Sequence, residues 1–238
     1  MRTPIEYPIR INRYLYLTNI CSRRAADKLI ERGLIRINGE KAVLGQKVNE
    51  GDKVEVTKSV KKMMNNYKYI AFNKPRGVVS HDPQEGEESV EDFIEDEVDP
   101  VGRLDKDSEG LMLLTNDGRI VNKILSPEFS HEKEYRVTID KEMKPSFKKK
   151  MQRGVNIEGY ITKPAVIKLT GPTTFVIILT EGKKHQIRRM CMNLGYTVTK
   201  LYRTRIMDIK IGALPVGEGR NLSEEEKTKL LKSIGLKD

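Results

Sequence analysis

The nine residues Gly102 to Gly110, GRLDKDSEG, gather Asp105, Asp107, Glu109 and Arg103. Oxygen-bearing side chains at alternate positions, closed by a glycine, are how a calcium loop begins. Counted from Asp105, however, the ninth position is Leu113 and the twelfth is Asn116, so the bidentate carboxylate that completes such a loop is missing. Two readings remain. A charged turn suits Asp107, Ser108 and Glu109. A reactive carboxylate suits Asp105, which has Leu104 before it and the apolar run LMLL at 111–114 after it. A carboxylate beside a buried strand needs a partner to stay ionised. Arg103 is adjacent, and GKKHQIRRM brings Arg188 and Arg189 from elsewhere in the chain.

Other chemistries find little support. His81, His131 and His185 form no ligand-spaced pair, and Cys21 and Cys191 are far apart with no CxxC partner. No P-loop or GxGxxG occurs. No metal and no cofactor are expected. Two isolated cysteines fit a reducing cytosol. The segment MRTPIEYPIRINRY lacks the apolar core of a signal peptide, and no apolar run approaches membrane-spanning length. A cytoplasmic protein without a membrane partner is therefore expected.

The chain has 238 residues, 37% hydrophobic and 33% charged, with a net charge of +10. That excess favours an acidic partner, nucleic acid first. Residues 1–67 hold 14 Lys/Arg against 7 Asp/Glu, and residues 68–238 hold 30 against 27, so the N-terminal quarter carries most of it.

The elements that must position these groups are readable in outline. IRINRYLYLTNICSRRAADKLIERG predicts two short helices, the second capped by Ser22 and stopped at Gly33. Arg24 and Lys28 are spaced i,i+4 with Arg23 beside them and Arg13 one helix earlier, a basic face that fits phosphate contact or plain solvation. Asn38-Gly39 between alternating apolar residues predicts a hairpin. The domain division expected is 1–58, a linker over 59–67, and a second domain over 68–238. In the second, Tyr69–Phe72, Leu111–Thr115, Glu134–Ile139, Ala165–Leu169, Thr174–Thr180 and Val198–Ile211 read as strands. KKHQIRRMCMNLG and LSEEEKTKLLKSIG read as helices, with Met190 and Cys191 in the core. Residues 82–99 hold ten acids and no Lys or Arg, and the spacing of Val90, Phe93, Ile94 and Val98 predicts an amphipathic helix with an acidic outer face. Strands mixed with few helices, without βαβ regularity, make the fold class α+β.

The segment SRRAADKLIERGLIRINGE, two helices and a small hairpin with a basic face, resembles an S4-type RNA-binding domain. GRLDKDSEGLMLLTNDG resembles the central motif of the RsuA-like pseudouridine synthases. NKPRGVVS (73–80), HEKEYRV (131–137), EGKKHQIRRMCMNLGY (181–196) and LYRTRIMDIKIGALPVGEGR (201–220) follow the family's order, and the likeness spans almost the whole chain. There are two departures: Gly219 stands where the family often has Trp, and His185 where close relatives usually carry Arg.

The resemblance implies an α+β catalytic domain with a mixed, largely antiparallel sheet, no cofactor, and isomerisation of a uridine in RNA. It points to large-subunit (23S) ribosomal RNA and to a monomer, with the same chemistry on a different ribosomal uridine or on tRNA, or a non-catalytic S4-type RNA-binding assembly factor, as the alternatives. It implies that Asp105 acts at the sugar as nucleophile or base. Arg188 maps to the arginine that pairs with that carboxylate, although a phosphate contact or a solvent-facing helix position is also compatible. Tyr135 maps to a family tyrosine whose ring stacks on the base and whose hydroxyl serves in proton transfer, and a half-buried strand position suits it too. Arg103 is the candidate for filling the space left by a flipped base. Lys74 and Arg189 join Arg13, Ser22, Arg23, Arg24 and Lys28 as candidate RNA contacts, with Lys74-Pro75 also supporting the floor of the site.

Overall fold

Two helices and a small sheet build the first of two units, which comprises Met1–Lys68 with Thr115–Asn122. The computed structural model describes residues 5–60 and 66–236. β1 (Ile9–Arg10) leads into α1 (Ile11–Leu17). α2 (Arg23–Glu31) starts where the Ser22 hydroxyl accepts the Ala25 amide at 3.2 Å. β2 (Ile35–Ile37) turns at Asn38-Gly39 into β3 (Glu40–Lys41). Both turn residues are left-handed, with φ 51° and 86°, as the Asn-Gly signal predicts. β4 (Lys47–Val48) pairs with β1, and β5 (Val54–Val56) pairs with β2. Ile11 and Leu15 of α1, Ala26 and Ile30 of α2, and Ile35 and Val48 of the strands close one core. The start of the expected linker belongs to this unit: residues 58–60 are helical and Val60 is buried in the same core, while 61–65 lie outside the described residues.

The second unit comprises Tyr69–Leu114 and Lys123–Asp238. Its strands are β6 (Tyr69–Lys74), β7 (Asp99–Pro100), β8 (Glu109–Thr115), β9 (Lys133–Ile139), β10 (Asn156–Ile157), β11 (Tyr160–Ile161), β12 (Val166–Leu169), β13 (Thr174–Leu179), β14 (Val198–Ile206), β15 (Ile209–Lys210) and β16 (Gly219–Asn221). The remaining helices are α3 (Val121–Leu125), α4 (Phe147–Arg153), α5 (Gln186–Asn193) and α6 (Glu224–Ser233). A nine-stranded sheet runs in the order β12-β13-β9-β14-β8-β6-β16, with β15 on β14 and β7 on β8. The β14–β8 pair is parallel, whereas β12–β13, β13–β9, β9–β14 and β6–β16 are antiparallel. This is an α+β fold with a mixed sheet.

Two apolar clusters hold the sheet. Val137, Phe175 and Ile177 pack with Phe147 and Met151 of α4 and with Met190 and Cys191 of α5. The Phe147 ring meets Phe175 and Tyr196 edge-on, at 5.1 and 5.0 Å. Ile70, Phe72, Met112 and Leu114 pack with Val78, Val90 and Leu104. Each large side chain buried this way contributes roughly 1.5–3 kcal/mol. Met190 and Cys191 are core residues, and burial pushes the Cys191 thiol up to about 12.

Two expectations are corrected. Residues 82–99 do not form a helix: only Val90–Phe93 makes a 3₁₀ turn, and Ile94 is already extended at φ −131°. A helix there would stack Glu91 on Glu95 and Asp92 on Asp96, and like charges four residues apart destabilise it. Val90 is buried and Phe93, Ile94 and Val98 pack on the same cluster without helical geometry. Residues 198–211 are likewise not one strand. β14 folds back into β15 at Met207, whose φ is 52°, and two bulges interrupt its register with β9. At Gly219, an added Cβ would lie 2.7 Å from Ile94 Cδ1, so Ile94 fills the space a larger side chain would need.

Candidate active site

The loop between β7 and β8 carries Asp105, and three other segments hold its backbone. Ser80 Oγ donates to the Leu104 carbonyl at 2.7 Å and accepts the Leu104 amide at 3.0 Å. Lys74, the last residue of β6, is wholly buried. Its ammonium donates to the carbonyls of Pro75 (2.8 Å), Ser108 (2.9 Å) and Lys106 (3.4 Å). Arg188 of α5 donates to the Asp107 carbonyl at 3.0 Å and to the Ser108 hydroxyl at 3.2 Å. Within the loop, the Ser108 amide closes a turn onto the Asp105 carbonyl at 2.9 Å. A side chain on a backbone fixed from several directions is pre-organised for chemistry.

The Asp105 carboxylate itself is left free of that clamp. Its side chain is 36% exposed and faces His185, with Nε2 3.5 Å from Oδ1. Both line a cavity of about 800 Å³, together with Arg103, Tyr135, Leu201 and Arg203. Burial lowers the Lys74 ammonium to about 8, against the opposing pull of the Glu109 and Asp105 charges. Tyr135, on β9, packs its ring against both apolar clusters, and its hydroxyl has no hydrogen-bond partner among the described residues. Arg103 is exposed at the cavity edge and is also without a partner among them.

Arg203 is 4% exposed and donates through Nε to the Leu111 carbonyl at 2.6 Å. One of its terminal nitrogens is buried without a partner. Arg203 pairs with Gly110 across the parallel β14–β8 contact. Gly110 has φ +104°, and a Cβ there would overlap the Arg203 carbonyl oxygen and come within 2.7 Å of its nitrogen. Only glycine lets β8 approach β14 this closely beside the Asp105 loop.

Asp105, Arg103 and Tyr135, distant in sequence, thus share one cavity. Arg188 does not sit on the Asp105 carboxylate: its guanidinium fork is used on the backbone and hydroxyl of the loop, and the imidazole of His185 faces Asp105 instead. Lys74 is not exposed for a phosphate, because its charge is sequestered under the loop carbonyls. Arg189 is committed to Glu158 in the β10–β11 turn and to the Lys184 carbonyl at 3.3 Å, so it too is not an open RNA contact. Ser80 and Arg203 are not distinguished by the sequence as site residues. Ser80 closes the NKPRGVVS segment and Arg203 lies in LYRTR, so the signal was segment membership without a chemical cue.

In the first unit a separate groove is lined by Arg10, Arg13, Arg23 and Lys47, with one carboxylate, Glu6, and with Tyr7 and Leu17. Four cations along one groove suit a polyanion backbone. Arg13 and Arg23 were expected there, and Arg10 and Lys47 are added by the β1–β4 pairing. Lys28 is exposed on α2. The Ser22 hydroxyl caps α2, and a Cβ on Gly118 would collide with it, so the side chain is partly packed and one of its acceptor positions is used within the unit. The Arg24 side chain lies outside the described residues.

A family model described as RNA pseudouridylate synthase matches residues 68–193. The chain belongs to that family. A model for the S4 domain matches residues 9–54. The dual-specificity RNA pseudouridine synthase RluF of Escherichia coli (strain K12) is 44% identical over 230 residues, covering 95% of this chain and 79% of that protein. The ribosomal large subunit pseudouridine synthase B of Bacillus subtilis (strain 168) is 34% identical over 232 residues, 93% of this chain and 95% of that protein. A crystal structure of a pseudouridylate synthase superposes with TM-score 0.69 at 27% identity, covering 93% of this chain and 99% of that one. The chain is an RNA pseudouridine synthase, an isomerase with an RNA-binding S4 domain. Such an enzyme cleaves the N-glycosidic bond of a uridine and rejoins the base through carbon.

Proposed function

We propose that this pseudouridine synthase isomerises a uridine of large-subunit (23S) ribosomal RNA, in the cytoplasm and as a monomer, with Asp105 as the carboxylate acting at the sugar. Residues 1–58 serve as the RNA-anchoring S4 domain and residues 68–238 as the catalytic domain. The observation that carries the reading is Asp105 itself: a half-exposed carboxylate facing a cavity of about 800 Å³, on a loop clamped by Lys74, Ser80 and Arg188. The sugar carbon of a stacked nucleotide is shielded, so the uridine is flipped into that cavity at a cost of a few kcal/mol. Tyr135 takes the base against its ring, and Arg103 occupies the gap left in the RNA. Arg10, Arg13, Arg23 and Lys47 hold neighbouring phosphates.

The ribosomal target is supported by the Bacillus subtilis relative, a ribosomal large subunit pseudouridine synthase, and a second specificity by the Escherichia coli relative, a dual-specificity RNA pseudouridine synthase. The test is Asp105→Asn with ribosomal RNA carrying 5-tritiated uridine, and with tRNA in parallel. RNA binding is expected to persist while tritium release falls to background. Release near the parental rate overturns the assignment. Carbodiimide-adduct mapping by primer extension, with and without the gene, identifies the nucleotide, and a modified position outside 23S RNA overturns the target.

A further inference from the structure

Flipping the target uridine disturbs more than that nucleotide. The bases on either side lose a stacking partner, and a base with a bare π-face is recognised by aromatic side chains. The chain has five phenylalanines. Phe72, Phe147 and Phe175 are buried, and Phe93 packs on the apolar cluster of β6 and β8. Phe129 is the exception, 53% exposed.

We propose that Phe129 is a stacking platform for an unpaired base next to the target uridine in the substrate RNA. The proposal rests on that uridine being turned into the cavity that holds Asp105. The ring stands where such a base would arrive. It ends a 3₁₀ turn, Pro127–Phe129, that follows α3. Ile124, Leu125 and Pro127 line the Asp105 cavity. Leu125 packs on the catalytic loop itself: a Cβ on Gly102, next to Arg103, would lie 2.6 Å from Leu125 Cδ2. The wall of the cavity therefore runs directly into the turn that carries Phe129.

The ring is also ordered in advance. His131 stacks on it, with centroids 5.9 Å apart and planes 18° from parallel. His131 is half-buried, and burial holds its pKa below the usual histidine value, against a backbone hydrogen bond at Lys123. The Ser126 hydroxyl accepts the Glu128 amide at 3.4 Å, and the Ser126 carbonyl accepts the Phe129 amide at 3.3 Å. Ser130 then turns left-handed at φ 50°. With His131 over one face, the exposed area of the Phe129 ring lies on its other face and edge. A lone exposed apolar side chain is ordinary on a surface. A fixed ring, backed by a second ring and continuous with the cavity wall, presents a binding face at low entropic cost.

The nearby charges favour a base over a phosphate. Glu128 is exposed beside the ring, and Glu132 pairs with Arg205 at 2.9 Å. An uncharged base face tolerates these carboxylates, whereas a phosphate is repelled by them.

Three synthetic stem-loop RNAs centred on the uridine that carbodiimide mapping locates test this: the intact sequence, and two in which the nucleotide 5′ or 3′ of the target is abasic. Phe129→Ala is expected to keep the parental melting temperature and to bind the intact RNA about 5- to 150-fold more weakly. KM for tritium release rises by a similar factor, and the slope of log affinity against log salt stays at the parental value, because no phosphate contact is lost. Phe129→Leu, which keeps apolar bulk without the π-face, is expected to behave like Phe129→Ala, and Phe129→Trp to bind at least as tightly as the parent. On one of the two abasic RNAs the parent loses the same factor, and Phe129→Ala loses nothing further. Parental affinity in Phe129→Ala overturns the proposal, and self-association of the parent that the variant lacks would then give the ring to a second copy of the chain. A loss undiminished on both abasic RNAs, a loss with a shallower salt slope, or full parental binding by Phe129→Leu also overturns it. Tritium release persisting in Asp105→Asn instead overturns the reading of the cavity and leaves the binding cycle at Phe129 readable, so the two failures are distinguishable.

Discussion

Replacing Lys74 with methionine separates a buried clamp from a phosphate contact. The Lys74 ammonium makes two short charge-assisted donations, to Pro75 at 2.8 Å and Ser108 at 2.9 Å, and a long one to Lys106 at 3.4 Å. Hydrogen bonds of a charged donor are worth about 1.5–3 kcal/mol each, so the two short ones come to about 3–6 kcal/mol. Methionine has similar volume and avoids the cost of keeping a charge in a site that lowers its pKa to about 8. The net loss expected is therefore about 2–4 kcal/mol, against a typical domain stability of about 5–15 kcal/mol. The protein still folds. Its second-unit transition melts about 5–15 °C lower. The freed loop lets Asp105 drift, and a displacement near 1 Å lowers kcat about 100-fold. RNA affinity and its salt dependence stay at the parental values, because the charge lost never reaches solvent. Thermal melting, tritium release and a salt titration of RNA binding read out the three effects. A variant with unchanged melting but weaker, less salt-dependent binding would refute the clamp and restore Lys74 as a phosphate ligand.

Other consequences are open to the same measurements. Arg13→Glu with Arg23→Glu is expected to weaken RNA binding and to flatten the log affinity against log salt slope by about 1–2, while leaving the melting temperature of the second unit alone; an unchanged slope removes the groove as a phosphate site. Gly110→Ala forces a methyl group onto the Arg203 backbone and is expected to cost about 3 kcal/mol or more, read as a lower urea midpoint, and a midpoint equal to the parent's would contradict the close β8–β14 approach. Stability should also depend on pH through Lys74, whose pKa falls from 10.5 to about 8 on folding. Below about pH 8 both states hold the proton. Between about 8 and 10.5 the unfolded chain holds a proton that the folded protein has released, so this residue makes stability rise with pH across that window. Urea midpoints on either side of the window should show a rise that Lys74→Met lacks, and equal pH dependence in both proteins would exclude it.

Local signals survived folding where they were self-contained. Asn38-Gly39 made its left-handed turn, Ser22 capped α2, and LSEEEKTKLLKSIG formed α6. These need only a few neighbouring residues and no distant partner. The acidic segment 82–99 failed for the converse reason. Its apolar spacing is helical, but Val90, Phe93, Ile94 and Val98 reach their cluster from a 3₁₀ turn and extended chain, because that cluster is assembled by β6 and β8.

The site divides along the same line. Asp105 stood out because its surroundings, an arginine before it and an apolar strand after it, are written in adjacent residues, and Tyr135 and Arg103 belonged to motifs with a chemical reading. What each cation does was not local. Lys74, Arg188, Arg189 and His185 are all basic residues near the right motifs, and charge alone made them equivalent. Burial under three carbonyls, a guanidinium turned onto the Asp107 carbonyl, an ion pair with Glu158 and an imidazole 3.5 Å from Asp105 are set by which strands and helices pack beside one another. Residue type and order specified the carboxylate and the family it belongs to. Tertiary packing decided which basic side chain faces it, because a long flexible side chain takes its role from whatever acceptor the fold brings within hydrogen-bonding reach.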